Sequence, residues 1–190
     1  MKILAFDTCI SGCSAALLED GKITCAKKEY KPSQQAETLM ILLEEALRAK
    51  GLEYKNLDLI AVTNGPGSFT GTRIGLMAAK GIALVTGVPI FAASTLEVAA
   101  FAAAKTEKIT IIQDAGRGMI YMQEFPGKNG FPTLISRADV LASGVIEVKE
   151  IRAESLARLA AANINRASSG EEILPLYIRP PDAKLPGKCA

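Results

Sequence analysis

The chain has 190 residues, 49% of them apolar, with a formal net charge of +2 and no histidine. That length can bury a real core as one domain or two small lobes, and near-neutral charge without a dense Lys/Arg block speaks against an electrostatic nucleic-acid binder. The lack of histidine excludes Ser-His-Asp and Cys-His catalysis, His-bound zinc and a histidine general base, and with them a metalloprotease.

The N-terminus enters directly on the alternating run KILAFD (2–7), which reads as a strand; a signal peptide would show a longer apolar segment and a small-residue cleavage site. CSAALL (13–18) is a second strand, and the Asp-Gly pair within EDGK (19–22) turns the chain into a third, ITCAKKEY. A helix follows in PSQQAETLMILLEEALRAKG, with Ser33 as N-cap, Glu37 early, Arg48 and Lys50 late, and Gly51 as the stop. LDLIAVTN (57–64) reads as a buried strand, 70–86 as a helix, VPIFAA as a short strand, and Ser94 with Glu97 as a capping box opening another helix. The apolar run at 74–85 is interrupted by Lys80 and glycine and is too short to span a bilayer. A cytoplasmic location is expected.

The second half repeats the plan in reduced form. ITIIQDA (109–115) and GMIYMQEF (118–125) are strands, PGKNG a turn and FPTLIS a further strand; short helices are expected at 137–142 and 152–163 around VIEVKE, before a Pro-rich extended tail. The order βββαβαβα then βββαβα predicts an α/β architecture of two related lobes, divided as 1–104 and 105–190. The cysteines Cys9, Cys13, Cys25 and Cys189 include no CxxC pair and read as reduced thiols, the first three on core strands.

Two helices carry more apolar surface than one core face needs. In the first, Ala36, Leu39, Met40, Leu42, Leu43, Ala46, Leu47 and Ala49 cover half the circumference, with Ile41 among the polar residues. In the second, Gly71, Gly75, Ala79 and Ala83 form a ridge of small residues that admits a neighbouring backbone closely, within the chain or on a partner. Its other positions are mostly apolar, with Arg73 and Lys80 as the charged strip.

Between strand and second helix lies TNGPGSFTGTRIG (63–75). No Gly-Lys-Ser/Thr follows, so it is not a Walker A loop. The GxGxxxG spacing is a weak dinucleotide variant: Pro66 removes an N–H donor, and the next strand ends in FAAST without an acid for a ribose. The amides before the helix suit an anion, and Ser68 and Thr70 are equally good caps.

The residues NGPGSFTGTRIG resemble the signature of the TsaB family, also called YeaZ. ILAFDTCISGCSAALLEDG is similar to its opening hairpin, IQDAGRGMIYMQEF to its mid-chain segment and PLYIRPPDAK to its tail. The resemblance implies an actin-like ATPase (ASKHA) fold of two ribonuclease-H-like lobes, the second shortened here. It implies a role in forming N6-threonylcarbamoyladenosine at position 37 of tRNA, as the non-catalytic partner of the transferase TsaD, with TsaE recruited through the complex and TsaC supplying the threonylcarbamoyl-adenylate. Homodimer formation, tRNA contact only through the complex and nucleotide only at the TsaD interface are further implications, with no cofactor in the isolated chain, no metal and no membrane. The partner surface is expected on the two long helices, at Leu39, Met40, Leu43, Leu47, Gly71, Arg73, Gly75, Met77 and Ala79. The signature loop Asn64, Gly65, Pro66, Gly67, Ser68, Phe69 and Thr70 then sets the entry of that helix without cradling a phosphate.

Vestiges of phosphate motifs remain at Asp7 and Thr8, where Cys9 replaces the glycine of Asp-x-Gly, and at Asp114, Ala115 and Gly116. Gln35 and Gly116 depart from the His and Arg that the family pattern carries. The alternative is a stand-alone ATP-dependent phosphotransferase of the same fold, holding Mg²⁺ through Asp7 or Asp114.

Overall fold

The computed structural model describes residues 1–30, 34–127, 130–140 and 144–179. Strands β1 (Lys2–Asp7), β2 (Cys13–Glu19) and β3 (Lys22–Glu29) form an antiparallel meander. Asp20 and Gly21 turn β2 into β3 with φ of 48° and 80°, the double positive φ that a two-residue hairpin demands. Helix α1 (Gln35–Arg48) crosses to β4 (Leu59–Thr63); α2 (Phe69–Thr86) then leads to β5 (Ile90–Ala93) and α3 (Thr95–Ala103). The sheet order is β3-β2-β1-β4-β5, with β4 parallel to β1 and β5 parallel to β4.

The second sheet repeats this order without its fifth strand. β6 (Ile109–Gly116), β7 (Met119–Phe125) and β8 (Thr133–Ser136) form a meander, β9 (Val145–Val148) lies parallel to β6, and the order is β8-β7-β6-β9. This is the actin-like fold with a shortened second half. Helix α4 (Ala153–Ala162) and a 3-10 turn at Ile164–Arg166 are the last helical elements among the described residues.

The inner strands β1, β2 and β4 of the first sheet are buried on both faces, which is why they read as near-continuous apolar runs. On one face Leu4, Phe6, Ala15, Leu17, Ile60 and Val62 meet Leu39, Leu43 and Leu47 of α1 and Leu76, Ala79 and Ile82 of α2. On the other, Ile3, Ala5, Ala16, Leu18, Leu59 and Ala61 share one cluster with α3, α4 and the Ile109, Ile111 and Tyr121 side chains of the second sheet. The sequence break at 104/105 falls between α3 and β6, yet the core does not divide there. Helix α4 packs on β1 and β2, and Ser14 Oγ donates to the carbonyl of Ile151 at 3.0 Å just before it.

Three local expectations change. Ser33 lies outside the described residues; the cap position of α1 belongs to Gln34, which makes no side-chain cap bond. Ser94 caps α3 through Glu97 N at 3.0 Å, but the Glu97 carboxylate leaves the capping box and takes both Nη groups of Arg166 at 2.5 and 3.2 Å. A bidentate charged pair outcompetes one backbone N–H. The helix expected at 137–142 is a single 3-10 turn, Arg137–Asp139, with the end of that span outside the described residues.

Candidate functional site

The signature loop is fastened on three sides. Ser68 caps α2 by accepting from Gly71 N at 3.1 Å, and its own N–H donates to the carbonyl of Cys9 at 2.7 Å. The Gly65–Pro66 bond is cis. Thr95 N donates to Gly65 O at 2.9 Å, while Thr95 Oγ1 and Gln113 Nε2 both reach Pro66 O, at 2.8 and 2.9 Å. Thr95 and Gln113 are buried and also stand 2.7 Å from one another. On the third side the tail binds the loop, Leu176 N donating to Asn64 O at 2.7 Å and Asn64 Nδ2 to Leu174 O at 3.3 Å. Thr95 carried no motif, and Gln113 stood in the mid-chain segment without an assigned role; only the approach of α3 and β6 to the loop makes them part of it.

Asp7 is buried at the end of β1. It accepts from Thr63 Oγ1 at 2.5 Å and from Cys9 N at 3.1 Å, and burial raises its pKa to about 6 against the opposing effect of these bonds. The adjoining Cys9 is buried against Thr63 and Thr72, its thiol pushed up to about 12 by burial and by the Asp7 charge. It is an inert packing residue at neutral pH. Thr8 donates to Gly71 O at 2.6 Å. The second segment read as a phosphate motif is placed otherwise: Asp114 is exposed and 3.5 Å from Arg137, and Gly116 takes φ +72° at the bulge of the β6–β7 hairpin. Asp7 and Asp114 thus occupy different sheets and different environments.

The expected partner residues separate into two groups. Leu39, Leu43, Gly71, Gly75 and Ala79 are buried in the chain's own core, which corrects their assignment to an outer surface; Leu47 is buried as well, but in the wall of the groove between α1 and α2. The ridge faces inward because a β-carbon at Gly71 would lie 2.0 Å from the carbonyl oxygen of Thr8, and one at Gly75 2.6 Å from Thr8 Oγ1. Met40 and Met77 remain outside, with Ile41, Leu84 and Val85, the last two 88% and 85% exposed. Met40, Leu47, Leu52, Met77, Ile82 and Val85 line an open groove of about 960 Å³ between α1 and α2. The Tyr54 hydroxyl on its wall is buried with no hydrogen-bond partner among the described residues. Arg73 is exposed but does not line this groove; it lies over the Phe69 ring and donates to Tyr177 Oη at 2.6 Å.

Residues 32–151 match the family described as TsaD, tRNA N6-adenosine threonylcarbamoyltransferase. The chain is 34% identical over 128 residues to the tRNA threonylcarbamoyladenosine biosynthesis protein TsaB of Escherichia coli, covering 66% of this chain and 55% of that one. It is 34% identical over 131 residues to the TsaB of Bacillus subtilis, covering 68% and 57%. The match therefore spans little more than half the length of these curated relatives. Among solved structures, a Pseudomonas aeruginosa protein described as uncharacterized, with similarity to peptidase YEAZ, superposes with a TM-score of 0.81 at 25% identity, covering 94% of this chain and 99% of that one. YeaZ from Pseudomonas aeruginosa gives 0.78 at 25% identity, covering 93% and 99%. The chain belongs to the threonylcarbamoyltransferase family that its residues 32–151 match, and within it stands with the TsaB (YeaZ) proteins.

Proposed function

We propose that this chain serves the formation of N6-threonylcarbamoyladenosine at position 37 of tRNA as a non-catalytic partner of a TsaD transferase, which it engages through the α1/α2 groove. The observation that carries the reading is the exposed apolar surface of Met40, Met77 and Val85 along that groove. Large apolar side chains gathered on one face mark an interaction surface, and flexible methionines suit a face that meets different partners. The same surface serves a second copy of the chain when TsaD is absent, and TsaE joins through the assembled complex. The non-catalytic role is supported by the lack of histidine and by Asp7, whose carboxylate is buried and bonded to Thr63 and Cys9 N. A cytoplasmic site of action accords with this reading; among the described residues no helix is long and apolar enough to cross a membrane.

Size-exclusion chromatography with light scattering, on the chain alone and mixed with TsaD, tests the proposal. A homodimer that converts to a heteromer on mixing is expected. A monomer that ignores TsaD would overturn it.

A further inference from the structure

The two sheets repeat one strand order but end differently. In the first, β4 carries β5 on its outer side, and the chain itself closes β5. Ile90 N donates to Ser168 O at 2.8 Å, Ser168 N to Ile90 O at 2.9 Å, and Arg166 Nη2 to Ala92 O at 3.4 Å. In the second sheet β9 holds the place of β4, and among the described residues no strand lies beyond it. Thr110 N of β6 donates to Gly144 O at 3.4 Å, and Ile146 and Val148 stand opposite Ile111 and Gln113. Backbone groups turn alternately to the two sides of a strand, so Ile146 and Val148 bond toward β6. Val145 and Glu147 therefore present their N–H and C=O groups to the open side.

A groove of about 430 Å³ runs beside this edge, between β9 and the C-terminal half of α3. Val98, Ala99 and Ala102 of α3 line it with Ile146, Val148 and Ile151. Glu97 is the one charged residue of α3, yet Phe101 and Ala102 are exposed. A helix apolar nearly all round calls for cover on every side, and the alanines leave that space unfilled. The charges at the rim are unequal. Glu147 is bound by Arg137 Nη2 at 2.6 Å, and Glu150 by Lys28 Nζ at 2.7 Å and Arg152 Nε at 3.5 Å. Lys105 and Lys149 line the same groove and form no ion pair among the described residues. The surplus charge of the rim is positive.

We propose that the β9 edge and this groove dock an extended acidic segment of a partner protein, which joins the second sheet as the strand after β9. Its backbone pairs with Val145 and Glu147, alternate apolar side chains lie on the alanines of α3, and its carboxylates meet Lys105 and Lys149. The short length of β9 and the charge of Glu147 keep the edge from pairing indiscriminately. Residues 180–190 of the chain do not suit the place in composition: Pro180, Pro181 and Pro186 lack a ladder N–H, and Lys184 and Lys188 repeat the charge of the rim. The site shares no lining residue with the α1/α2 groove and does not rest on its docking role.

The probe is a labelled peptide of about eight residues alternating valine and glutamate, titrated into the full chain by fluorescence anisotropy. It binds, and the peptide alternating valine and lysine binds at least about tenfold more weakly. Methylating alternate backbone nitrogens of the glutamate peptide weakens binding by about tenfold or more for one of the two sets and not for the other, because only one set faces the ladder. Lys105→Glu combined with Lys149→Glu, and separately Ala102→Glu, weaken the peptide by about tenfold or more, while Met77→Asp changes nothing. Circular dichroism verifies that the variants fold. Hydrogen exchange on the parent chain keeps the test decisive if they do not: the Glu147 amide exchanges fast alone and slows with the peptide, while Ile146 is slow in both. Absence of binding, equal binding of the lysine peptide, or unchanged exchange at Glu147 overturns the proposal. Protection of Glu147 that grows with chain concentration in the absence of peptide assigns the edge to a second copy, and overturns the acidic partner as well.

Discussion

A β-carbon on Gly67 would stand 2.2 Å from the carbonyl oxygen of Cys9. That same oxygen accepts from Ser68 N, so the signature loop lies directly on the chain that leaves β1, with no room for a side chain between them. Gly67→Ala therefore has to push two backbones apart, and a destabilisation above about 2 kcal/mol is expected, as for other forced core strain. Urea denaturation measures it. A variant as stable as the parent would show that the loop is not seated on Cys9.

Gly75 is held by the same part of the fold. The Thr8 hydroxyl occupies the space next to it and donates to Gly71 O, so a larger residue at 75 acts on stability before it acts on association. Gly75→Ala is expected to cost on the order of 1–3 kcal/mol, despite the better helix propensity of alanine. Thr8→Ala should relieve part of the clash, and a double-mutant cycle on thermal unfolding reads the coupling. Additive effects would contradict the contact.

Met77 is the opposite case. It is 56% exposed on the groove, so Met77→Asp should leave the unfolding free energy within about 0.5 kcal/mol of the parent while weakening association by about tenfold or more, because a charge is then desolvated in an apolar contact. Light scattering over a concentration series and a parallel melt separate the two effects. A large fall in stability, or unchanged association, would count against the groove as the docking face.

The buried carboxyl of Asp7 gives a pH signature. Its folded pKa, about 6, lies above the usual 3.8, so between those values the folded state binds the extra proton. The stability it contributes is complete below about pH 4 and is lost as pH rises through about 6; a rise of that size corresponds to roughly 3 kcal/mol. Asp20, Glu147 and Glu150, lowered by their cationic partners, act in the opposite direction, which makes the comparison with Asp7→Asn the useful one. The variant should be more stable than the parent at about pH 7.5, with the gap closing toward about pH 4. A gap that does not change with pH would refute the raised carboxyl.

Thr95, Gln113 and the Pro66 carbonyl make a closed set of buried hydrogen bonds. Thr95→Val keeps the volume, removes the hydroxyl and is expected to cost about 1–3 kcal/mol, since the remaining groups stay buried with fewer partners. Amide exchange at Ser68 and Gly71 should accelerate with it. Unchanged exchange would mean that the loop holds its shape without the network.

Much of this was legible in the sequence because its causes are local. Asp20 and Gly21 require their turn wherever the strands go, and the alternation and length of the apolar runs mark the two meanders. The glycine loop and the broad stripes of both helices stand out in the same way. The absence of histidine limits the chemistry before any fold is known. Periodicity, however, assigns a residue to a face and says nothing of what covers that face. The Gly71–Gly75–Ala79 ridge fits a partner as well as a neighbour, and only the position of Thr8, 63 residues earlier than Gly71, decides that it turns inward. The placement of α4 on the first sheet, the meeting of Thr95 and Gln113 beneath Pro66, and the stacking of Arg73 between helix and tail have the same origin. Each joins segments far apart in the chain, through contacts that exist only once the sheets have formed.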